Sequence, residues 1–247
     1  MLSNPTRHFG AGTTDTVDFG AATILANLTG LAIRVVFYLD GVPGAFGEDE
    51  NDRAWVSQWS ATAGDCAVEL GQGSGDALGT LRLNVSDGTN VATVLSSTFL
   101  LGNFAPYSSR QYHEIVAQWA AAGTMTIYLD GNVIGYVTNQ TSVAAIVSTV
   151  KHLTIGGCSD ATFLAPGISV REVGLWNAPL PSNLVQAMAA GNERSRMFSP
   201  STFIGSCEML AAGGGPEFML SYGFGNTVPA LSLSGTVTGT WVESHQQ

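Results

Sequence analysis

Apolar and polar residues alternate along much of this chain with a period of two. Met125, Ile127 and Leu129 alternate with Thr124, Thr126 and Tyr128, the pattern of a strand with one buried face. Asp130-Gly131 follows and supplies the positive φ angles of a two-residue hairpin, so Asn132 to Tyr136 reads as the return strand. Ile33, Val35, Phe37 and Leu39 alternate with Arg34, Val36 and Tyr38, and then meet Asp40-Gly41. Ala54 to Trp59, Ala67 to Gly71 and Leu81 to Val85 are further short strands, and Asp87-Gly88 turns the chain into Val91 to Leu95. Asp-Gly turns between alternating segments predict an antiparallel sandwich.

One helix is predicted. Pro181-Ser182 starts it, Leu184, Val185 and Met188 give it an apolar face, and Gly191 ends it. β-type sequence then resumes in Thr202 to Gly205, Phe218 to Tyr222 and Ala230 to Val242. These strands are expected to complete or flank the same sandwich, because about forty Gly-rich residues bury too little for a core of their own. Residues 1–15 show no periodicity and read either as a frayed end or as an arm that docks on a neighbouring subunit. The expected organisation is an arm at 1–15 and one domain at 16–243, with its completing strands in 199–243.

Three stretches carry a resemblance. Tyr112-His113-Glu114-Ile115-Val116, ahead of Tyr128-Leu129-Asp130-Gly131, is similar to the central signature of laminin-G-like domains in the concanavalin A-like jelly-roll superfamily. Leu153-Thr154-Ile155-Gly156-Gly157, followed by Gly167 to Leu180, resembles the closing strands and short helix of that family, with Arg171 where an acidic residue is usual. Val17-Asp18-Phe19-Gly20 and Leu31 to Asp40 resemble its opening strands. The resemblance spans roughly residues 16–190. It implies an all-β fold: a two-sheet antiparallel jelly roll with one short helix. It implies no single function, because this fold hosts lectins, hydrolases, adhesion modules and virion proteins.

Composition narrows the choice. The formal net charge is −10, and the 9 Lys and Arg form no run, so neither affinity for a phosphate backbone nor a nucleic-acid partner is expected. No apolar run reaches the roughly 18–20 residues of a spanning helix, and no membrane partner is expected. The start, Met1 to His8, lacks a basic segment followed by an apolar one, so no secretory signal is expected. Cys66, Cys158 and Cys207 have neither metal-ligand nor disulfide spacing and read as small buried residues. Charged residues make up only 11% of the chain, against about 25% in typical soluble proteins. That fits either an ordinary Gly- and Thr-rich β-protein or a surface partly covered by neighbours.

Candidate chemistry is sparse. Glu48, Asp49, Glu50 and Asp52 form an acidic loop that is either solvated or a calcium site; no other cofactor is expected. Glycoside hydrolases of the superfamily carry a Glu-x-Asp-x-x-Glu strand whose carboxylates sit about 5 Å apart. No such strand occurs here, nor any Gly-x-Ser-x-Gly elbow, so an enzyme is not expected. Trp55, Trp59, Tyr107 and Tyr112 are either core residues or aromatic faces for sugar stacking. The function expected first is a non-enzymatic structural protein of a tailed-bacteriophage virion, a capsid decoration protein or a tail or fibre component. It would be made in the host cytoplasm and would associate with itself, as a dimer or trimer, and with virion proteins such as the major capsid protein. The alternative is a lectin-like module that attaches to cell-surface polysaccharide.

Overall fold

The structure is a computed structural model. It describes residues 7–9, 15–38, 52–60, 65–73, 75–77, 79–97, 112–140, 142–158, 163, 166–191, 195, 198, 201–209, 217–220, 232–234 and 236–238. Its strands are β1 (Arg7–Phe9), β2 (Thr16–Ala21), β3 (Gly30–Tyr38), β4 (Arg53–Gln58), β5 (Val68–Gln72), β6 (Arg82–Ser86), β7 (Val91–Leu95) and β8 (His113–Ala120). They continue with β9 (Gly123–Leu129), β10 (Asn132–Gln140), β11 (His152–Gly156), β12 (Ile168–Trp176), β13 (Phe203–Glu208), β14 (Glu217–Leu220), β15 (Ser232–Ser234) and β16 (Thr236–Thr238). The helix α1 spans Ser182–Gly191.

These strands form two antiparallel sheets, so the fold is a jelly-roll β-sandwich with one short helix. The larger sheet has nine strands, in the order β10-β9-β8-β3-β12-β13-β14-β15, with β1 also beside β12; the smaller has seven, in the order β16-β2-β11-β4-β5-β6-β7. Alternation places the core between them. Ile33, Val35, Phe37, Ile115, Ala117, Ile127, Val173 and Leu175 of the larger sheet meet Val17, Phe19, Val56, Leu70, Leu83, Val85 and Ile155 of the smaller. The Asp130-Gly131 turn has φ angles of 48° and 77°, which a two-residue hairpin requires. The Asp40-Gly41 turn and Leu39 lie outside the described residues. The predicted helix is found: Val185 and Met188 are buried, and the Leu184 and Val185 amides bond the Pro181 carbonyl.

The N-terminal segment differs from the expected arm. Arg7, His8 and Phe9 pair with Val170, Ser169 and Ile168, and Phe9 is fully buried. The reason lies in β12, whose second half already pairs with β13 and whose first half is left an open edge that β1 fills. A three-residue strand is too short to show periodicity. At the other end, β13 to β15 extend the larger sheet while β16 pairs with β2 in the smaller, so the C-terminal strands bridge both layers.

The outer face of the larger sheet is covered at its centre. Val185 and Met188 of α1, with Leu180, pack on Ala32, Val116, Tyr128 and Trp176. Beside them lies a buried ionic cluster. Arg34 Nε donates to Glu114 Oε2 at 2.6 Å, its Nη1 lies 3.5 Å from Glu172 Oε2, and Nη1 donates to Ser195 Oγ at 3.2 Å. The Ser195 amide in turn donates to Glu172 Oε1 at 2.8 Å, which ties the segment after the helix to the sheet.

Candidate functional site

The outer face of the smaller sheet is built differently. Asp18, Thr154, Glu69, Asn84 and Thr93 each sit between core residues of their own strand, so their side chains point away from the core, and Ser57 shares that face by pairing with Thr154 and Glu69. Strand register puts them in one row: Asp18 faces Thr154, Thr154 faces Ser57, Ser57 faces Glu69, Glu69 faces Asn84, and Asn84 faces Thr93. The row therefore crosses β2, β11, β4, β5, β6 and β7.

Its middle is buried although it faces outward. Thr154, Ser57 and Glu69 are fully buried and Asn84 nearly so. Hydrogen bonds knit part of it together. Thr93 Oγ1 donates to Asn84 Oδ1 at 2.7 Å, Asn84 Nδ2 donates to Glu69 Oε2 at 2.9 Å, and Thr154 Oγ1 donates to the Ser57 carbonyl at 3.3 Å. At the β2 end, His152 Nδ1 and Asp18 Oδ2 are 2.8 Å apart.

Arg82 borders the row on β6. It lies 3.4 Å from Glu69 Oε2 through Nη2 and 3.4 Å from Asp76 Oδ2 through Nη1, with 21% of its side chain exposed. A side chain at Gly73 would run into this guanidinium, which rests directly on the Gly73 backbone. Asp76 Oδ2 also accepts the Gly73 amide at 2.9 Å, which fixes the turn that carries it. Among the described residues, three polar atoms of this face have no hydrogen-bond partner: Glu69 Oε1, Ser57 Oγ and Arg82 Nε. Burial pushes the Glu69 carboxyl up from its ordinary value; Arg82 and the Asn84 bond pull it down, and Asp52 adds to the rise.

The residues singled out from sequence are scattered. Trp55 is 1% exposed, with its ring edge-on to Phe37 at 4.8 Å, and is a core residue rather than a ligand face. Trp59 is half-buried, and its carbonyl accepts the Cys158 thiol at 3.2 Å. Tyr112 is half-buried on the larger sheet, with the Arg171 guanidinium 5.2 Å from its ring centre. Tyr107 lies outside the described residues. So do Glu48, Asp49 and Glu50; Asp52, the described member of the acidic loop, is half-buried and acts on Glu69. Among the described residues, no three His, Cys, Asp or Glu side chains gather as a metal site. Cys66, Cys158 and Cys207 are buried, as expected of small core residues, and form no disulfide with one another.

Sequence reasoning passed over Ser57, Glu69, Arg82 and Asn84. The signal was there: an ionisable residue flanked by Val68 and Leu70, and an Arg and an Asn on either side of Leu83. Alternation says such residues face outward; it does not say that the outward face is buried.

No protein-family model matches the chain, and no curated protein matches it. Solved structures resemble it in fold at low sequence identity. One is a candidate carbohydrate-binding protein of Bacteroides ovatus, with a TM-score of 0.58 and 9% identity over 98% of this chain and 62% of that one. A heptameric SAP-like pentraxin of Limulus polyphemus gives 0.52 and 14% over 79% and 86%. The receptor-binding domain of botulinum neurotoxin D gives 0.54 and 10% over 76% and 44%. The chain thus spans 62% of the length of the Bacteroides ovatus structure. This likeness establishes the jelly-roll sandwich, and the fold alone.

Proposed function

We propose that this chain is a glycan-binding module, lectin-like in its manner of recognition. The observation that carries the reading is the polar row on the outer face of the smaller sheet, which buries hydrogen-bonding groups and leaves three of them without partners. Buried polar groups are ordinarily satisfied, and a ligand rich in hydroxyls satisfies both donors and acceptors. Support comes from the fold neighbours: one is a candidate carbohydrate-binding protein and another a receptor-binding domain. Binding rather than hydrolysis is proposed, since the carboxylate Asp76 is held by Arg82 and the Gly73 amide. An array of bacterial and eukaryotic glycans probed with the full chain tests the reading. Saturable binding to a subset of glycans, competed by free sugar, is expected; an array with no signal at micromolar protein removes it.

Incorporation into a virion is a second proposal. It draws on the few charges and on Val133 and Tyr136, which are exposed on the edge strand β10. Mass spectrometry of purified particles tests it: a stoichiometric copy number is expected, and absence from the particles ends it.

A further inference from the structure

The partnerless atoms on the polar row differ in kind. Glu69 Oε1 is an acceptor, Arg82 Nε is a donor, and Ser57 Oγ, facing Glu69 across the strand pair, is both. We infer that the site takes a neutral sugar ring through two adjacent hydroxyls, one donating to Glu69 Oε1 and its neighbour accepting from Arg82 Nε. This rests on the glycan-binding reading above and names its ligand class.

Charge excludes the alternatives. Asp52 and Arg82 act on Glu69, and Asp76 lies 3.4 Å from the same Arg82, so carboxylates stand on either side of this guanidinium. A carboxylated sugar would satisfy Arg82 but would meet those acids at close range in a buried setting, where like charges are costly. An ammonium group would satisfy Glu69 but offers nothing to Arg82 Nε, because it carries no acceptor. A hydroxyl is donor and acceptor at once, so a vicinal pair serves both protein groups without adding charge. Entry is from the β6–β7 side, where Arg82 is partly exposed. There Leu95, directly across from Arg82, is 46% exposed. It offers an apolar rim to the C–H face of a ring whose hydroxyl edge points at Glu69.

The buried ionic cluster on the larger sheet shows why this is not read into every buried glutamate. Glu114 Oε1 is also partnerless, but Arg34 beside it is only 1% exposed, and α1 covers that face.

The experiment titrates the full chain with three matched sets of oligosaccharides: neutral hexose, uronic-acid-bearing and amine-bearing. The neutral set is expected to bind at least about tenfold more tightly than either charged set, the effect of one unsatisfied buried charged group. Glu69→Gln and Arg82→Met are each expected to weaken neutral-sugar binding about tenfold, with a thermal melt confirming that each variant is folded. Equal or tighter binding of the acidic or amine-bearing set to the unmodified protein overturns the ligand class and leaves the glycan reading standing. Unchanged neutral-sugar affinity in both folded variants overturns the site. Failure of all three sets removes both.

Discussion

The two outer faces of this sandwich solve one problem in opposite ways. Each sheet must do something with the side chains that alternate away from the core. The larger sheet covers them with α1 and the segment at Ser195, and joins its charged members, Arg34, Glu114 and Glu172, into one cluster. The smaller sheet has no described helix on it, yet its central polar residues are equally buried, and Arg82 at their margin reaches solvent. One face is arranged to hold the molecule together. The other leaves donor and acceptor groups unused, and unused groups cost stability unless something binds them. Function on this fold is therefore sought on the smaller sheet.

Breaking the closed face should give the largest effect. Arg34→Met removes the one cation between two buried carboxylates. Taking one partner from a buried pair costs about 3–5 kcal/mol, and a urea melt of the variant should show a loss of that size. A loss under about 1 kcal/mol would mean that the cluster is not what fastens this face.

The next effect is at the N-terminus. Phe9→Ala empties a core position in a strand that looks like a tail in the sequence. A loss of about 3 kcal/mol is expected by chemical denaturation. Removing residues 1–15 should cost at least as much, because it also uncovers the edge of β12. A truncated protein that melts where the full chain does would return the segment to the status of an arm. Smaller again is Met188→Ala on α1, expected to cost about 2 kcal/mol. That variant should leave glycan affinity unchanged if the two faces are independent, since distant sites act additively.

The fold was legible where periodicity is long enough to read. Val17 to Phe19, Ile33 to Phe37, Leu83 to Val85 and Met125 to Leu129 all announce their buried faces, and the Asp-Gly turn at 130–131 announces its hairpin. Three residues at β1 cannot, because pairing there depends on a partner edge 160 positions away at Val170 and its neighbours, which local sequence does not encode. The candidate site was less legible for another reason. Trp55 and Trp59 draw attention as aromatic residues, but a β-bulge between Ala54 and Val56 accompanies a Trp55 ring packed in the core. The row from Asp18 to Thr93 appears only once six strands are aligned, and each member alone is an ordinary polar residue in an alternating strand.

The smallest effect is the one that most sharply separates the faces. Burial raises the Glu69 carboxyl above its ordinary value, with Arg82 and Asn84 only partly opposing this. The folded protein thus holds the Glu69 proton more tightly than the unfolded chain does. A raised carboxyl contributes stability that is fully present below its unfolded pKa and is lost as pH rises through the folded one. At neutral pH Glu69 therefore weighs against folding. Glu69→Gln fixes the uncharged state and keeps an acceptor for Asn84, so at pH 7 the variant should melt a few degrees higher than the unmodified protein, on the order of 2 °C. The gap should close as pH falls below the ordinary carboxylate range, where both proteins carry a neutral side chain. The same substitution should weaken neutral-sugar binding, so stability and affinity move in opposite directions. Arg34→Met on the other face should lower stability at every pH. A Glu69→Gln variant that melts lower at neutral pH, with a gap that persists in acid, would show Glu69 to be a structural partner of Arg82. The face of the smaller sheet would then be closed in the same way as its counterpart.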